Sequence, residues 1–173
     1  LITVIGTFYT IYKLPQSLLL LFLKTIVGLK YKLEINGIRN IPSNGGVLLL
    51  GNHISWIDWA IVLMAVPREV KFVMDKTIYN KWYLKWLFKM YNAIPISNAS
   101  SKTTIQTIAK ELDAGNVVVV FPEGAITRNG HLGEFKRGFE KILEFTTNEE
   151  IKVIPFYIRG LWESMFSRAN KRF

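Results

Sequence analysis

Asn52-His53, with Asp58 five positions after the histidine, is a pairing whose residue types suit proton transfer. The chain contains two histidines, and imidazole is a side chain that changes protonation near neutral pH. A carboxylate beside it would accept a hydrogen bond from one ring nitrogen and fix the tautomer. The other nitrogen could then take a proton from a substrate hydroxyl, which is general-base catalysis. Ser55 is the nearest hydroxyl, but its position favours use as the N-cap of a following helix. No G-x-S-x-G elbow occurs in the chain. A His–Asp pair without a serine nucleophile suggests that the substrate brings the alcohol. The competing reading makes His53 a turn residue and leaves Asp58 to serve only the positive end of a helix dipole.

A second stretch, FPEGAITRNG at 121–130, belongs to the same question. Pro122 ends the apolar run before it, Gly124 permits a tight turn, and Glu123 would project from the turn. Cations follow: Arg128, Lys136 and Arg137, interspersed with Gly130, Gly133 and Gly138. Glycines and cations in a loop leading to a helix make a plausible phosphate cradle; alone, the segment reads equally well as a solvated loop.

The elements that must position these groups follow from periodicity. Residues 46–52, 70–74, 93–96, 116–121 and 151–158 read as strands, and 30–37 as a strand ending in an Asn-Gly turn. Helices are expected over 56–66, 77–91, 101–114 and 132–146. Strands alternating with helices predict an α/β fold with a mostly parallel central sheet flanked by helices. On a straight helix, residues five apart diverge by about 140°, so His53 and Asp58 meet only if His53 lies in the bend between strand and helix. The expected boundaries put it there, at a strand's carboxyl end, where sites concentrate in such sheets.

The 173 residues carry a net charge of +9 and no cysteine. Cys-ligated zinc and disulfides are thereby excluded, and two distant histidines make a metal site improbable. A basic chain suggests an anionic partner. Half the residues are apolar and the mean hydropathy is +0.21, which fits a membrane interface better than nucleic acid. Residues 1–29 read as two short helices, 2–12 and 15–28, lying on or dipping into a bilayer, because the longest uncharged run is half the length of a span. The run KTIYNKWYLKWLFKMY at 76–91 places Lys81, Lys85 and Lys89 four apart beside Trp82 and Trp86, a pattern that favours membrane interfaces. No nucleic-acid-binding signature accompanies it.

Taken together, the segments resemble the glycerophospholipid acyltransferase family. Its N-H-x4-D motif matches Asn52-His53…Asp58. Its F-P-E-G motif matches Phe121–Gly124, with a downstream F-K-x-G matched by Phe135–Gly138, and its V-I-P motif matches Val153–Pro155. The resemblance implies an acyltransferase domain over 30–173, preceded by the membrane-associated segment 1–29. It implies that His53 deprotonates a lysophospholipid hydroxyl that attacks an acyl thioester, that Asp58 orients His53, and that Asn52, Glu123, Gly124, Arg128 and Lys136 serve the acceptor. No cofactor is implied beyond acyl carrier protein or coenzyme A as carrier of the acyl co-substrate. The implied location is the cytoplasmic face of a bacterial inner membrane.

Two departures narrow the expectation. The family's motif continues F-P-E-G-T-R, with the arginine gripping phosphate, whereas Ala125 and Ile126 stand here and Arg128 lies two residues later. The arginine common after a strand like AIPI is replaced by Ser97. Both favour a phosphodiester acceptor over the dianionic lysophosphatidic acid. The E-G-x-I-T pattern is similar to the acyltransferase portion of bacterial 2-acylglycerophosphoethanolamine acyltransferases, which implies lysophosphatidylethanolamine as acceptor. It also implies a longer chain carrying a fused transporter or an acyl-carrier-protein ligase. The alternatives are acylation of 1-acylglycerol-3-phosphate, or a non-catalytic membrane or acyl-binding module of the same fold.

Overall fold

A computed structural model of the protein describes residues 16–96 and 102–170. The chain divides into two compact units, Leu1–Asn36 and Gly37–Phe173, a division that falls after Asn36 rather than after Leu29.

In the first unit, α1 spans Gln16–Lys30. The expected helix at 2–12 lies outside the described residues. Leu18, Leu21, Phe22, Ile26 and Leu29 of α1 are all exposed. At 100° per residue they fall within an arc of about 140°, so the exposed apolar side chains of α1 share one side of the helix. Among the described residues, no helix is long and apolar enough to cross a membrane. The strand expected at 30–37 does not form: residues 31–36 are irregular, and Leu33 and Ile35 are exposed. Their alternation resembles a strand, but among the described residues no strand pairs with them.

The second unit is built on five strands: β1 (Val47–Gly51), β2 (Val70–Asp75), β3 (Ile94–Ile96), β4 (Val117–Val120) and β5 (Lys152–Phe156). Their order is β3-β2-β4-β1-β5, and every pairing is parallel. Continuous apolar runs in β1 and β4 suit strands covered on both faces. Leu48, Leu50 and Val118 pack on one face against Ile105, Ile108 and Leu112 of α5 (Lys102–Asp113) and Ile142 of α6 (Glu140–Glu144). Val47, Leu49, Val117 and Val119, which alternate to the other face, are at most 2% exposed, so that face is closed as well. Proline occurs only in the edge strands, Pro95 in β3 and Pro155 in β5, where a missing N–H costs no ladder bond.

Two expected helices differ. The helix over 77–91 is two pieces, α3 (Lys76–Tyr79) and α4 (Trp82–Met90). Asp75 caps the first by accepting from the Thr77 N–H at 2.7 Å, and these Thr77 bonds, the hydroxyl's foremost, hold the Asp75 carboxyl below its usual range. Asn80 closes that helix, and Lys81 is extended before the second begins. The helix over 132–146 shrinks to a 3-10 turn, Arg137–Phe139, followed by α6. Its expected first turn is held out of helical form by the site described next.

Parallel strands share one carboxyl edge. Residues 52–58 follow β1 there, 121–124 follow β4, and 157–158 follow β5, so the segments singled out by residue type converge on one end of the sheet.

Candidate active site

The helix α2 begins at Asp58 and runs to Ala65, later than residue 56. His53 therefore lies in the bend, and its Nδ1 stands 2.8 Å from Asp58 Oδ2. A carboxylate can only accept, so Nδ1 carries the hydrogen and Nε2 is the basic nitrogen. Among the described residues nothing hydrogen-bonds Nε2. The imidazole is about a quarter exposed, whereas Asp58 is fully buried.

Burying a carboxylate requires a full set of donors. Besides the imidazole, Asp58 Oδ2 accepts from the Ile54 N–H at 2.7 Å and the Ser55 N–H at 3.0 Å. Its Oδ1 accepts from the Ser55 hydroxyl. This corrects the expectation for Ser55, which does not cap the helix: the aspartate inside the helix accepts from the turn before it. The hydroxyl is also committed to Asp58 and fully buried, so it is no candidate nucleophile. A segment far along the chain closes over this turn. The Trp56 N–H donates to the Phe166 carbonyl at 2.9 Å, and Ser55 bridges Ser167.

Beneath the imidazole lies Phe121, with ring centroids 4.4 Å apart and planes 16° from parallel. Phe156 meets Phe121 edge-on at 6.1 Å. The Phe156 ring also occupies the space a side chain at Gly51 would need, so the last residue of β1 must be glycine for this stack to form. The stack fixes the ring plane while the Asp58 bond fixes its rotation.

Glu123 ties the two motifs together. Its Oε1 accepts from the His53 N–H at 2.8 Å and its Oε2 from the Gly133 N–H at 2.8 Å. A Cβ at Gly133 would lie 2.7 Å from Oε2. The Gly133 amide is thus drawn to the carboxylate, which keeps residues 131–136 out of a helix. A third tie is the Thr127 N–H, which donates to the His53 carbonyl at 2.8 Å. Glu123 is buried with both oxygens engaged by backbone, so it holds the His53 turn to the loop at Gly133. Asn52 has a structural set of bonds as well. It is buried, and its carboxamide bonds the Ile158 backbone twice, Nδ2 to the carbonyl at 2.8 Å and Oδ1 from the N–H at 2.7 Å. This sews the end of β1 to the chain after β5.

The cations expected at the site fall into two groups. Gly124 has φ +68, and a Cβ there would lie 2.6 Å from Lys136 Nζ; the Lys136 N–H also donates to the Pro122 carbonyl at 3.0 Å. The ammonium therefore lies across the Phe-Pro-Glu-Gly turn. Arg128 is exposed one residue after Thr127, the residue bonded to His53. Ile126, where the family motif has arginine, is buried. Ser97 lies outside the described residues. Among the described residues, no group of three carboxylate or imidazole side chains could hold a metal ion.

Substituting Glu123 tests the strut. In Glu123→Gln an amide NH2 must face either the His53 or the Gly133 N–H, leaving two donors opposed. We expect the variant to lose about 2 kcal/mol of stability, read as a lower urea midpoint with an unchanged slope. A midpoint equal to the wild type's would mean that the carboxylate holds nothing.

The parallel α/β sheet thus carries at its carboxyl edge an imidazole held by a buried aspartate, beside a Phe-Pro-Glu-Gly turn. A family model described as "Acyltransferase" matches residues 32–159, and the chain belongs to that family. It is 25% identical over 139 residues to the chloroplastic 1-acyl-sn-glycerol-3-phosphate acyltransferase LPAT1 of Arabidopsis thaliana, covering 78% of this chain and 38% of that one. It is 28% identical over 119 residues to the 1-acyl-sn-glycerol-3-phosphate acyltransferase of Bacillus subtilis, covering 67% and 58%. The crystal structure of the 1-acyl-sn-glycerophosphate acyltransferase PlsC from Thermotoga maritima has the same fold, with a TM-score of 0.57 at 21% identity over 76% of this chain and 51% of that one. The chain spans between about two fifths and three fifths of the length of these curated relatives.

Phe121, Ile158 and the Phe166–Ser167 bracket were not found by sequence reasoning, and Ser55 was read as a helix cap instead of a donor to Asp58 three residues on. Phe121 stood inside a recognised motif and could have been suspected as a stacking partner. Ile158 and the bracket act through pairs more than a hundred residues apart, which no local pattern encodes.

Proposed function

We propose that this protein transfers a fatty acyl group from a thioester to the free hydroxyl of a lysophospholipid. The observation that carries the reading is the His53–Asp58 pair, with Nδ1 bound to a buried carboxylate and Nε2 left without a protein partner. The acceptor hydroxyl gives its proton to Nε2 as its oxygen attacks the thioester carbonyl. The tetrahedral intermediate collapses, the C–S bond breaks, and the imidazolium returns its proton to the leaving thiolate. Asp58 stabilises the transient imidazolium. Phe121 covers one face of the ring, so solvent competes less for the base.

The acceptor carries a phosphate, and Lys136 and Arg128 are the cations positioned for it. Relatives named as 1-acyl-sn-glycerol-3-phosphate acyltransferases favour a phosphomonoester. Buried Ile126 in place of the motif's arginine favours a phosphodiester, with lysophosphatidylethanolamine the first choice, because one fewer cation serves one fewer charge. We adopt the second. The purified protein should be assayed on lysophosphatidic acid, lysophosphatidylethanolamine and lysophosphatidylglycerol, each with acyl carrier protein and coenzyme A thioesters. A phosphodiester acceptor is expected to lead in kcat/KM by about fivefold, the worth of one exposed charge pair. Preference for lysophosphatidic acid would remove the head-group reading, and absence of turnover on every pair would remove the enzyme reading.

A further inference from the structure

Helix α4 contradicts the ordinary pattern of a surface helix. Leu87 and Phe88 are its buried residues, and Phe88 stacks on Tyr79 of α3 at 6.1 Å. At about 100° per residue, the direction opposite those two is taken by Trp82, Trp86, Lys85 and Lys89. The side facing away from the protein should be polar, yet its centre holds two tryptophans. Trp82 is 86% exposed, Trp86 56% and adjacent Tyr83 50%. Trp86 satisfies its indole N–H on the Tyr83 carbonyl at 3.0 Å and Trp82 meets Tyr83 edge-on at 5.7 Å. The rings form a small aromatic surface of their own, with nothing of the described protein laid over it.

The charges within this segment have one sign. Residues 76–91 contain Lys76, Lys81, Lys85 and Lys89 and no acidic residue, and all four lysines are exposed. The location is also defined. β2 is parallel to β4 and β4 to β1, so α3, which begins directly after β2, lies at the carboxyl edge that carries His53. Trp82 opens α4 just beyond it. Trp56, three residues past His53, is 39% exposed at the same edge.

We propose that the outer face of α4 is a docking surface for an anionic phospholipid bilayer, with Trp82, Tyr83 and Trp86 entering the interface and Lys81, Lys85 and Lys89 pairing with lipid phosphates. Indole rings partition to the boundary between headgroups and acyl chains, and lysines beside them add attraction to anionic lipid. The acyl-transfer reading enters at one point, since a lipid acceptor must reach the same sheet edge. The docking is otherwise independent of the chemistry and is tested without turnover.

The 173 residues include no cysteine, so Trp86→Cys and Glu149→Cys can each be labelled with a quenchable fluorophore. Glu149 precedes β5 and lies toward the opposite edge of the sheet. Vesicles of phosphatidylcholine, with and without phosphatidylglycerol, are then added in the presence of an aqueous quencher. The label at 86 is expected to become protected on vesicles containing phosphatidylglycerol, and the label at 149 to stay quenchable. In vesicle flotation, Trp82→Ser with Trp86→Ser should weaken partitioning about tenfold. Lys85→Gln with Lys89→Gln should weaken it about fivefold per lysine, and only where phosphatidylglycerol is present. Melting temperatures should not move, because all four side chains are exposed. Unchanged partitioning of the double variants, or equal quenching at 86 with and without vesicles, overturns the proposal. Protection of the label by an acidic acyl carrier protein but not by vesicles also overturns it, and assigns the face to a protein partner.

Discussion

Replacing His53 with alanine is expected to lower the rate of acyl transfer about a thousandfold, the range spanned by loss of a positioned general base, while leaving the protein folded. The imidazole makes one hydrogen bond, to Asp58, and one ring contact, with Phe121. The carboxylate keeps three other donors from Ile54 and Ser55. The imidazole is about a quarter exposed, so water can enter the space it leaves and replace the lost donor, and the stability cost should be about 1 kcal/mol. The backbone N–H of residue 53 still reaches Glu123 and its carbonyl still accepts from Thr127, so the loop is not released. Initial rates of thiol release, measured beside a thermal melt, separate the two effects. Activity within tenfold of wild type in a protein with a normal melt would remove proton transfer by His53 from the mechanism.

The residues differ in how much of this arrangement their sequence announced. β1 and β4 are legible as continuous apolar runs because both of their faces are covered, and burial on both sides leaves no room for another pattern. The meeting of His53 and Asp58 is legible as well, because a strand followed at once by a helix requires a bend, and His53 falls in it. The failures have a common physical cause. Residues 30–37 alternate like a strand, but alternation does not supply a partner. Residues 132–136 have helical composition, yet a carboxylate ten residues away claims the Gly133 amide. Asn52 and Glu123 sit where substrate ligands were expected, and their polar groups are engaged by the backbone of Ile158, His53 and Gly133. In each case the outcome turns on whether another part of the chain makes a contact, and residue type alone does not reveal which part arrives.

Asp58 should separate charge from scaffold. In Asp58→Ala, two buried backbone N–H groups, a buried hydroxyl and the imidazole all lose their acceptor at once. Each unsatisfied buried donor costs about 1–3 kcal/mol, and even with partial relaxation the variant should lose at least about 3 kcal/mol and its activity with it. In Asp58→Asn the shape is kept. The carboxamide oxygen can take the place of Oδ2 and accept from His53, Ile54 and Ser55. The NH2 then faces Ser55 Oγ, whose hydrogen is free to rotate so that the oxygen accepts instead. The imidazole and both backbone N–H groups keep their acceptor, and the Ser55 hydroxyl hydrogen is the donor that loses its own, so stability should fall by about 1–2 kcal/mol. What disappears is the negative charge opposite the imidazolium formed during transfer, a loss expected to cost about a hundredfold in kcat. The pair of variants therefore predicts an asymmetry: alanine lowers both melt and rate strongly, asparagine chiefly the rate. If the asparagine variant retained full activity, Asp58 would be a scaffold for the turn and nothing more, and His53 would have to act without help from the charge beneath it.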